Sequence, residues 1–369
     1  MTFAATILIR ISETIFEIPN HYYQSTIACE EAVTKLGLAL VGLGAIGLQA
    51  HLPAIRRSER AEVVAIVDPI ADRRNDARAQ LETPVAEFEF LWQALALDEV
   101  QAVVLATPPW ITPDLVVEAA HSGRFVLAEK PVATSVAAAG IYDQLSADER
   151  SRVQIGLTYR HDPAMEHLRE LIASGALGAP LLVRAHIYDE RHDPGDGVHD
   201  RLISSTLAHG SPVIHEGAHV IDWLRYLLAG EPTVDDAWQV TTRPGLPNPN
   251  LTGARLGFPD GSVALLEFGW FTDVLPPCEI SFLGDKAHAR LDLSDYAVEL
   301  STPAGVERVV FPGERTARSF DRQLDRLVYL AEGERTVPEP SLSDGLIALA
   351  TSEVIATLAR SHSQNGIGR

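Results

Sequence analysis

A glycine-rich turn at residues 42–47, spaced Gly-x-Gly-x-x-Gly, constrains the fold of this chain more than any other feature. An apolar run at residues 38–41 precedes it, short enough for a buried parallel strand, and a helical pattern follows. In such a unit Gly42 permits the tight turn, Gly44 lets the backbone approach a pyrophosphate, and Gly47 lets the helix pack close to the strand. Phosphates then lie at the positive end of the helix. The spacing therefore predicts a dinucleotide site formed by Gly42, Gly44, Ala45, Ile46 and Gly47.

The order of strands and helices indicates two domains. From residue 36 to residue 157 they alternate, as in a doubly wound parallel sheet. From residue 237 to residue 310, β-like runs follow one another with turn residues between them, which predicts a largely antiparallel sheet. The predicted fold class is α/β: an N-terminal Rossmann domain with a doubly wound parallel sheet, then a C-terminal α+β domain with a large, mostly antiparallel open sheet.

The predicted boundaries follow from this division. Residues 1–34 are a non-core N-terminal extension, residues 35–157 the dinucleotide-binding domain, and residues 158–369 the domain for substrate binding and oligomerisation. Within the last domain, residues 189–211 are predicted to form a polar loop and residues 212–228 a single helix. A final helix over residues 343–359 is expected to pack on one of the two domains.

Composition restricts the partners of the chain. Its formal net charge of −20 repels nucleic acids and anionic membranes, so we expect neither as a partner. The two cysteines, Cys29 and Cys278, lie far apart, which argues against a disulfide framework and fits the cytoplasm. No uninterrupted apolar run reaches the roughly 18 residues typical of a transmembrane helix.

Asp68 follows the second predicted strand, residues 61–67, and lies about 20 residues after Gly47. At this distance a dinucleotide fold places an acid on the adenosine ribose hydroxyls. The alternative is an aspartate that begins a turn before Pro69. Arg73 follows closely, where it would meet a 2′-phosphate. Asp68 therefore argues for NAD, while Arg73 leaves NADP open.

Two further strands end at polar residues, at the edge where open α/β sheets bind ligands. The strand at residues 100–106 stops at Thr107 and Pro108, because proline cannot continue a ladder. The strand at residues 125–128 delivers Glu129 and Lys130, and we assign all four residues to the cofactor site. The ammonium of Lys130 would also stabilise alkoxide character as hydride leaves the same carbon. Its alternative role is a surface lysine beside a turn.

From residue 36 onward, the motifs of this sequence resemble those of the glucose–fructose oxidoreductase, inositol dehydrogenase and MocA (Gfo/Idh/MocA) family. They are the glycine turn, Ala106-Thr107-Pro108-Pro109, residues 123–131 ending in Glu-Lys-Pro, Tyr159-Arg160, and residues 217–222. The resemblance implies an NAD(P)-dependent oxidoreductase acting on a sugar, polyol or related derivative, and a homo-oligomer, either dimer or tetramer. It places Lys130 beside nicotinamide and substrate and implies a cis Lys130–Pro131 bond. Tyr159 and Arg160 would position substrate or cofactor, or form a salt bridge at the domain hinge.

Three polar residues of the predicted helix at 212–228 share one face, because His215, His219 and Asp222 are spaced i, i+4, i+7. His219 is a candidate general base for a hydroxyl proton, and its alternative is a structural core histidine. In the Gfo/Idh/MocA family that this sequence resembles, an aspartate four residues before the histidine that matches His219 commonly belongs to the catalytic set. Here that position is His215, with Glu216 beside it. We keep His215 as a catalytic candidate and Asp222 as a substrate-binding candidate.

Residues 215–219 also spell H-E-x-x-H, which alone suggests a zinc hydrolase. We predict no metal site, because Gly217 weakens the helix that would hold the ligands and zinc would leave the Rossmann half unexplained. The predicted loop carries His192, His199, Arg201 and His209, and it either lines a polyol site or is a solvated surface.

The combined pattern predicts an NAD(P)-dependent dehydrogenase or reductase acting on CH–OH groups. NAD is the expected cofactor, with NADP not excluded. Two other functions stay open. One is a redox-neutral enzyme with tightly bound NAD, of the epimerase, lyase or glycosidase type. The other is a non-catalytic NAD-sensing regulator, for which the missing aspartate at position 215 argues.

Overall fold

The computed structural model describes residues 35–192, 195 and 197–365, and the proposed extension at residues 1–34 lies outside them. The first sheet consists of β1 (Leu36–Val41), β2 (Ala61–Val67), β3 (Ala86–Phe88), β4 (Ala102–Leu105), β5 (Phe125–Glu129) and β6 (Val153–Gly156). All its pairings are parallel, in the order β3-β2-β1-β4-β5-β6, which confirms the predicted Rossmann sheet. Strands β1 and β4 are buried along their whole length, as expected where helices cover both faces.

Helices connect these strands. They are α1 (Leu52–Arg57), α2 (Ala71–Arg78), α3 (Leu91–Leu95), α4 (Thr112–His121), α5 (Val136–Ala139) and α6 (Ala147–Arg150). A π-helical turn at Gly47–His51 leads into α1, and a 3-10 turn at Gly140–Gln144 follows α5. The glycine turn therefore passes directly into helix, as the motif requires.

The second sheet consists of β7 (Leu182–Arg191), β8 (Thr233–Val240), β9 (Leu251–Gly257), β10 (Val263–Thr272), β11 (Glu279–Leu283), β12 (His288–Asp292), β13 (Val298–Thr302) and β14 (Gly305–Val309). Its order is β14-β13-β12-β11-β7-β10-β9-β8. Only β7 and β10 pair in parallel among the described strands of this sheet. The predicted mostly antiparallel sheet is confirmed.

The helical elements of this half are a 3-10 turn at Thr158–His161, α7 (Pro163–Ala173), α8 (Gly197–Ala208), α9 (Pro212–His215), α10 (Gly217–Leu228), α11 (Arg315–Ala331) and α12 (Leu342–Asn365). Helix α11 contacts α1 and β5, and α12 contacts β6 as well as β8 and α10. Both helices therefore join the two halves. The domain boundary at residue 157 stays a prediction.

The predicted polar loop at residues 189–211 is wrong over most of its length. Its first residues extend β7, and residues 197–208 form α8. The helix is held by Ile203 and Leu207, which lie one turn apart and pack on Trp270 and Leu246. Two apolar anchors among many polar residues give a weak periodic pattern, which is why the sequence suggested a loop.

The predicted single helix at residues 212–228 is interrupted at Glu216, which separates α9 from α10. The Glu216 amide donates to the Pro212 carbonyl at 2.8 Å, and the His219 amide donates to the Glu216 carbonyl at 3.1 Å. At Gly217, an added Cβ would lie 2.9 Å from Ser352 Oγ, so α10 packs tightly on α12 at this point. At this interruption the side chain of Glu216 reaches Lys130 at the end of β5.

Helix α12 is long and apolar enough to cross a membrane by length and composition alone, with a mean hydropathy of 1.4 over Leu342–His362. In the structure its apolar side packs in the protein core, where Ala348, Leu349 and Ile355 are buried. The final helix predicted over residues 343–359 is therefore present, and it extends from Leu342 to Asn365.

A buried ion pair fixes α11. Asp162 is fully buried at the start of α7, where its Oδ1 accepts from the Ala164 amide at 2.9 Å. Arg318 Nε donates to its Oδ2 at 2.7 Å, and Ser319 Oγ donates to the same oxygen at 3.1 Å. Asp162 thus caps one helix and anchors another.

We expect Asp162→Ala to lower the free energy of unfolding by about 3–5 kcal/mol, because it leaves the guanidinium of Arg318 without its buried partner. Urea unfolding followed by tryptophan fluorescence measures this. The control is Asp143→Ala, since Asp143 pairs with Arg150 while its side chain is 89% exposed. Equal unfolding curves for both variants would contradict the anchoring role.

Candidate active site

The glycine turn has the geometry that its spacing predicts. Gly42 has φ of +86°, and an added Cβ would lie 2.4 Å from the Ala106 carbonyl oxygen. A Cβ on Gly47 would lie 2.2 Å from the Gly42 carbonyl oxygen, so a side chain is excluded there too. At Gly44 a Cβ would meet nothing within 4 Å. The turn is tight beneath and open above, which fits a pyrophosphate on the helix amides.

Asp68 lies against this turn and is only 3% exposed. Its Oδ2 accepts from the Leu43 amide and its Oδ1 from the Ile70 amide, both at 2.9 Å. Arg73 stands beside it with Nη1 3.5 Å from Oδ2, and half of its side chain is exposed. The carboxylate keeps acceptor capacity for a ribose hydroxyl, and the half-exposed side chain of Arg73 can turn from Asp68 toward a 2′-phosphate. These residues fit a dinucleotide of either kind.

A cavity of about 820 Å³ opens from the glycine turn toward the second sheet. Seven residues proposed from the sequence line it: Ala45, Ile46, Thr107, Glu129, Lys130, Tyr159 and His219. The other residues proposed for the cofactor do not line the cavity: Gly42, Gly44, Gly47, Asp68, Arg73 and Pro108. The three glycines form the turn behind the cavity, and Asp68 lies against that turn. The cavity has the size and position of a site for a small ligand beside a nucleotide.

Lys130 enters this cavity from the carboxyl end of β5. The preceding Glu129 is fixed by His51, whose Nε2 lies 2.9 Å from Oε1. The Lys130–Pro131 bond is cis, as predicted. Lys130 Nζ donates to Glu216 Oε1 at 2.8 Å and to the His215 carbonyl at 3.2 Å. Burial by itself would lower the pKa of Lys130, but the Glu216 carboxylate raises it, so the group is an ammonium.

The two histidines of the second half have different surroundings. His219 lines the cavity and its ring stacks on Trp223, with ring centroids 5.8 Å apart. Burial and the charge of Lys130 lower the pKa of His219 to about 3. His215 stacks instead on Trp270, with centroids 5.5 Å apart, and does not line the cavity. Burial and Lys130 lower the pKa of His215 to about 4. Both imidazoles are neutral at physiological pH.

An aromatic wall, defined by Tyr159, Trp223 and Tyr296, forms one side of the cavity. The Tyr159 ring lies 5.4 Å from that of Tyr296 and 5.3 Å from His219. Arg315, at the start of α11, holds its guanidinium 5.1 Å from the Tyr159 ring and donates to the Leu293 carbonyl at 2.6 Å. Flat rings with few fixed polar groups suit a small ligand that presents apolar faces and hydroxyl edges.

The opposite side of the cavity is acidic and comes from the end of β7. Asp189 is open to the cavity, and its Oδ1 accepts from Trp270 Nε1 at 2.8 Å. Loss of hydration inside the cavity, and then the negative charges of Glu216 and Glu190, raise the pKa of Asp189 to about 7. Glu190 Oε2 lies 3.0 Å from His199 Nε2. Asp189 therefore holds its charge less firmly than an ordinary surface aspartate.

Arg160 and Asp222 pair with each other. Arg160 Nε donates to Asp222 Oδ2 at 2.9 Å, and a second hydrogen bond joins Nη2 to Oδ1. Asp222 is fully buried, and neither residue is among the described residues that line the cavity. The structure thus brings Tyr159 to the cavity and places Arg160 and Asp222 in a buried ion pair behind it. Direct substrate contact by these two residues stays a prediction without geometric support.

The H-E-x-x-H stretch is not arranged as a metal site. Its glutamate binds Lys130, and its two histidines stack on different tryptophans. Within residues 35–192, 195 and 197–365, no group of three or more His, Cys, Asp or Glu side chains is placed to hold a metal ion. Of the polar residues expected in the loop, His209 stacks on Trp110 with ring centroids 4.3 Å apart.

Sequence reasoning missed several lining residues: Asp189, Glu190, Glu216, Trp223, Tyr296 and Arg315. A signal existed for Arg315, because the spacing of Phe320, Leu324 and Leu327 predicts a helix starting near it. None existed for Glu216, since its orientation depends on the interruption between α9 and α10.

The chain is similar to one family along most of its length. The model described as oxidoreductase family, NAD-binding Rossmann fold, matches residues 36–157, and the GFO/IDH/MocA C-terminal domain matches residues 165–290. The rhizopine catabolism protein MocA of Rhizobium meliloti is 31% identical over 241 residues, 64% of this chain and 72% of the relative. An inositol 2-dehydrogenase of Corynebacterium glutamicum is 28% identical over 339 residues, 88% of this chain and 94% of the relative.

A solved structure shows the same fold. An oxidoreductase from Agrobacterium radiobacter, in complex with NAD+, L-tartaric acid and magnesium, matches with a TM-score of 0.76 at 18% identity. The match covers 89% of this chain and 97% of that one. At this identity the likeness concerns the fold alone.

We expect Arg73→Ala to weaken NADPH binding about fivefold and to leave NADH binding within about twofold, because a half-exposed cation on a phosphate contributes roughly 1 kcal/mol. Fluorescence titration of each reduced cofactor gives both Kd values. Arg78→Ala is the matched control on the same helix, since Arg78 pairs with Glu87 at 3.0 Å. Equal weakening of both cofactors in Arg73→Ala would refute contact with a 2′-phosphate.

Proposed function

Because this chain belongs to the Gfo/Idh/MocA family of NAD(P)-dependent oxidoreductases, we propose that it transfers hydride reversibly between nicotinamide and a secondary hydroxyl-bearing carbon of a sugar, polyol or related derivative. When bound, the nicotinamide ring supplies the hydride acceptor or donor. The polyol class is supported by the relatives named inositol 2-dehydrogenase, which align with most of the chain. The neutral aromatic wall of the cavity suits such a substrate.

The position of Lys130 carries this proposal. Its ammonium faces the cavity next to the nucleotide half, and Glu216 and the His215 carbonyl fix it from behind. A positive charge held in place stabilises negative charge that develops on a substrate oxygen. Because the donor is already oriented, little reorganisation is needed when the reaction occurs. Lys130 therefore binds the reacting oxygen and lowers the cost of its deprotonation.

His219 has a supporting role in this proposal. Its imidazole is neutral and a poor proton store at physiological pH, because burial and Lys130 keep the pKa near 3. A neutral imidazole both donates and accepts hydrogen bonds, so it orients a hydroxyl group beside Lys130. The sequence predicted that His219 is a general base, and this stays a prediction. It requires that substrate binding raise the pKa of His219.

The two other functions have distinct signatures. A redox-neutral enzyme would retain NAD through gel filtration and convert substrate without a net absorbance change at the wavelength of the reduced cofactor. A non-catalytic regulator would bind cofactor and turn over no sugar or polyol with either NAD or NADP.

We also propose that the protein is cytoplasmic and works as a homo-oligomer. The outer face of the second sheet exposes large apolar side chains, among them Trp238, Leu265 and Leu283. Exposed apolar residues on one open sheet face are typical of a surface that another protein covers. Light scattering coupled to gel filtration measures the molar mass in solution, and a monomer at micromolar concentration would contradict the homo-oligomer.

We expect Lys130→Met to lower kcat for polyol oxidation by a factor of about 10² to 10⁴, because the cation that stabilises the substrate oxygen is lost. NADH binding should change less than about threefold. Lys286→Met is the control, because Lys286 is exposed on a distant hairpin and donates only to the Gly175 carbonyl among the described contacts. Near-full turnover by Lys130→Met with intact cofactor binding would refute the proposal.

A further inference from the structure

We propose that Glu216 is the proton acceptor behind Lys130, so that the proton of the substrate hydroxyl leaves through Lys130 to Glu216. This inference rests on the proposed hydride transfer. It assigns a role to a residue that the sequence suggested only as part of a zinc motif. The support is an ion pair, a helix interruption and the way both groups face the cavity.

The ion pair is direct and remains open to the cavity. Lys130 Nζ and Glu216 Oε1 are 2.8 Å apart, with side chains 19% and 20% exposed. Both residues line the cavity. Because about a fifth of each side chain is exposed, the pair is accessible from the cavity to a substrate hydroxyl and to water. Proton transfer needs hydrogen-bond distance, and this contact meets it.

The helix interruption selects Glu216 over its neighbour. Because α9 ends at His215 and α10 starts at Gly217, Glu216 lies in the junction with φ of −101° and ψ of −23°. Its side chain points to Lys130, while the ring of His215 stacks on Trp270. Only the carbonyl of His215 contacts Lys130. A carboxylate at position 215 would occupy the Trp270 side and not the Lys130 side.

Titratable groups surround Glu216 from several elements. They are Lys130 at the end of β5, His215 and His219 on the same helical segment, Asp189 and Glu190 on β7, Tyr159 on the 3-10 turn, and Tyr296 between β12 and β13. Burial alone would raise the pKa of Glu216, but the charge of the Lys130 ammonium and its hydrogen bond to the carboxylate outweigh burial and lower the pKa. The carboxylate is therefore ionised at physiological pH, and a proton that it accepts is held only in passing before the exposed part of the side chain releases it to water.

In the direction of oxidation, the carbon–hydrogen bond of the substrate breaks, and its hydrogen leaves with the electron pair to the nicotinamide. The hydroxyl oxygen gives its proton to Lys130 Nζ as Nζ gives one of its own to Glu216 Oε1, and the carbon–oxygen double bond forms. Lys130 ends as it began, an ammonium, and Glu216 holds the net proton. The exposed part of Glu216 then releases this proton to water.

Two variants of the whole chain test the assignment. In Glu216→Gln, which keeps size and hydrogen bonding, we expect kcat/KM for oxidation at pH 7 to fall at least about a hundredfold. The loss should shrink with rising pH, by up to about tenfold per pH unit, because Lys130 can then lose its proton to the solvent. Glu216→Asp should recover activity to within about tenfold of the natural protein. Parallel pH profiles for Glu216→Gln and the natural protein would refute the relay.

The double variant His215→Asp, Glu216→Gln tests the geometry. It moves the carboxylate to the position four residues before His219. We expect it to remain as slow as Glu216→Gln, because position 215 faces Trp270. Recovery to the level of Glu216→Asp would show that any carboxylate in this segment suffices and would overturn the inference.

A measurement without turnover separates this inference from the proposed function. The chain contains three lysines, so ¹³C labelling at lysine Cε gives three signals, and loss of one in Lys130→Met assigns Lys130. We expect Glu216→Gln to lower the pKa of Lys130 clearly, with NADH binding within about threefold as the check on folding. An unchanged Lys130 pKa refutes the coupling even if the protein is active. Failure of the natural protein to oxidise any polyol, with the pKa change present, refutes the proposed reaction alone.

Discussion

An ammonium on Lys130 depends on the carboxylate of Glu216. The lysine is mostly enclosed by protein, where an unpaired charge is costly, and the ion pair at 2.8 Å offsets much of that cost. The pair also joins the end of β5 to the junction of α9 and α10, which belong to different halves of the chain. The same contact therefore holds the reacting group in place and aligns the two halves of the cavity.

Helix α11 gives the cavity its third side and links it to the core. Its start carries Arg315 and Phe320 into the cavity, and its later turns bury Leu324, Leu327 and Val328 against the first sheet. Asp162, at the start of α7, fixes this helix through Arg318. A shift of α11 would thus move Arg315 and Phe320 relative to the aromatic wall, so the shape of the cavity depends on a buried pair outside it.

The parts of this site that follow from local constraint could be predicted. Gly42 and Gly47 are required by close backbone contacts, and Lys130 follows from a short buried strand, so the sequence pattern was enough. Glu216 and Asp189 could not be found in this way. Their orientation is set by a helix interruption and by a strand that runs further than its apolar pattern, and both depend on packing against α12 and Trp270. Helix α11 could have been predicted, because the spacing of Phe320, Leu324 and Leu327 is that of an amphipathic helix.

The overall charge of the chain and its anionic cofactor make opposite demands. A net charge of −20 repels a dinucleotide at long range, so binding has to come from the local field near the turn. The open amides above Gly44 and the exposed side chain of Arg73 supply that field. Within about one Debye length these groups dominate, whereas the distributed acidic surface is screened at physiological salt. Higher ionic strength therefore weakens the repulsion more than the short-range contacts, and the acidic chain retains a functional nucleotide site.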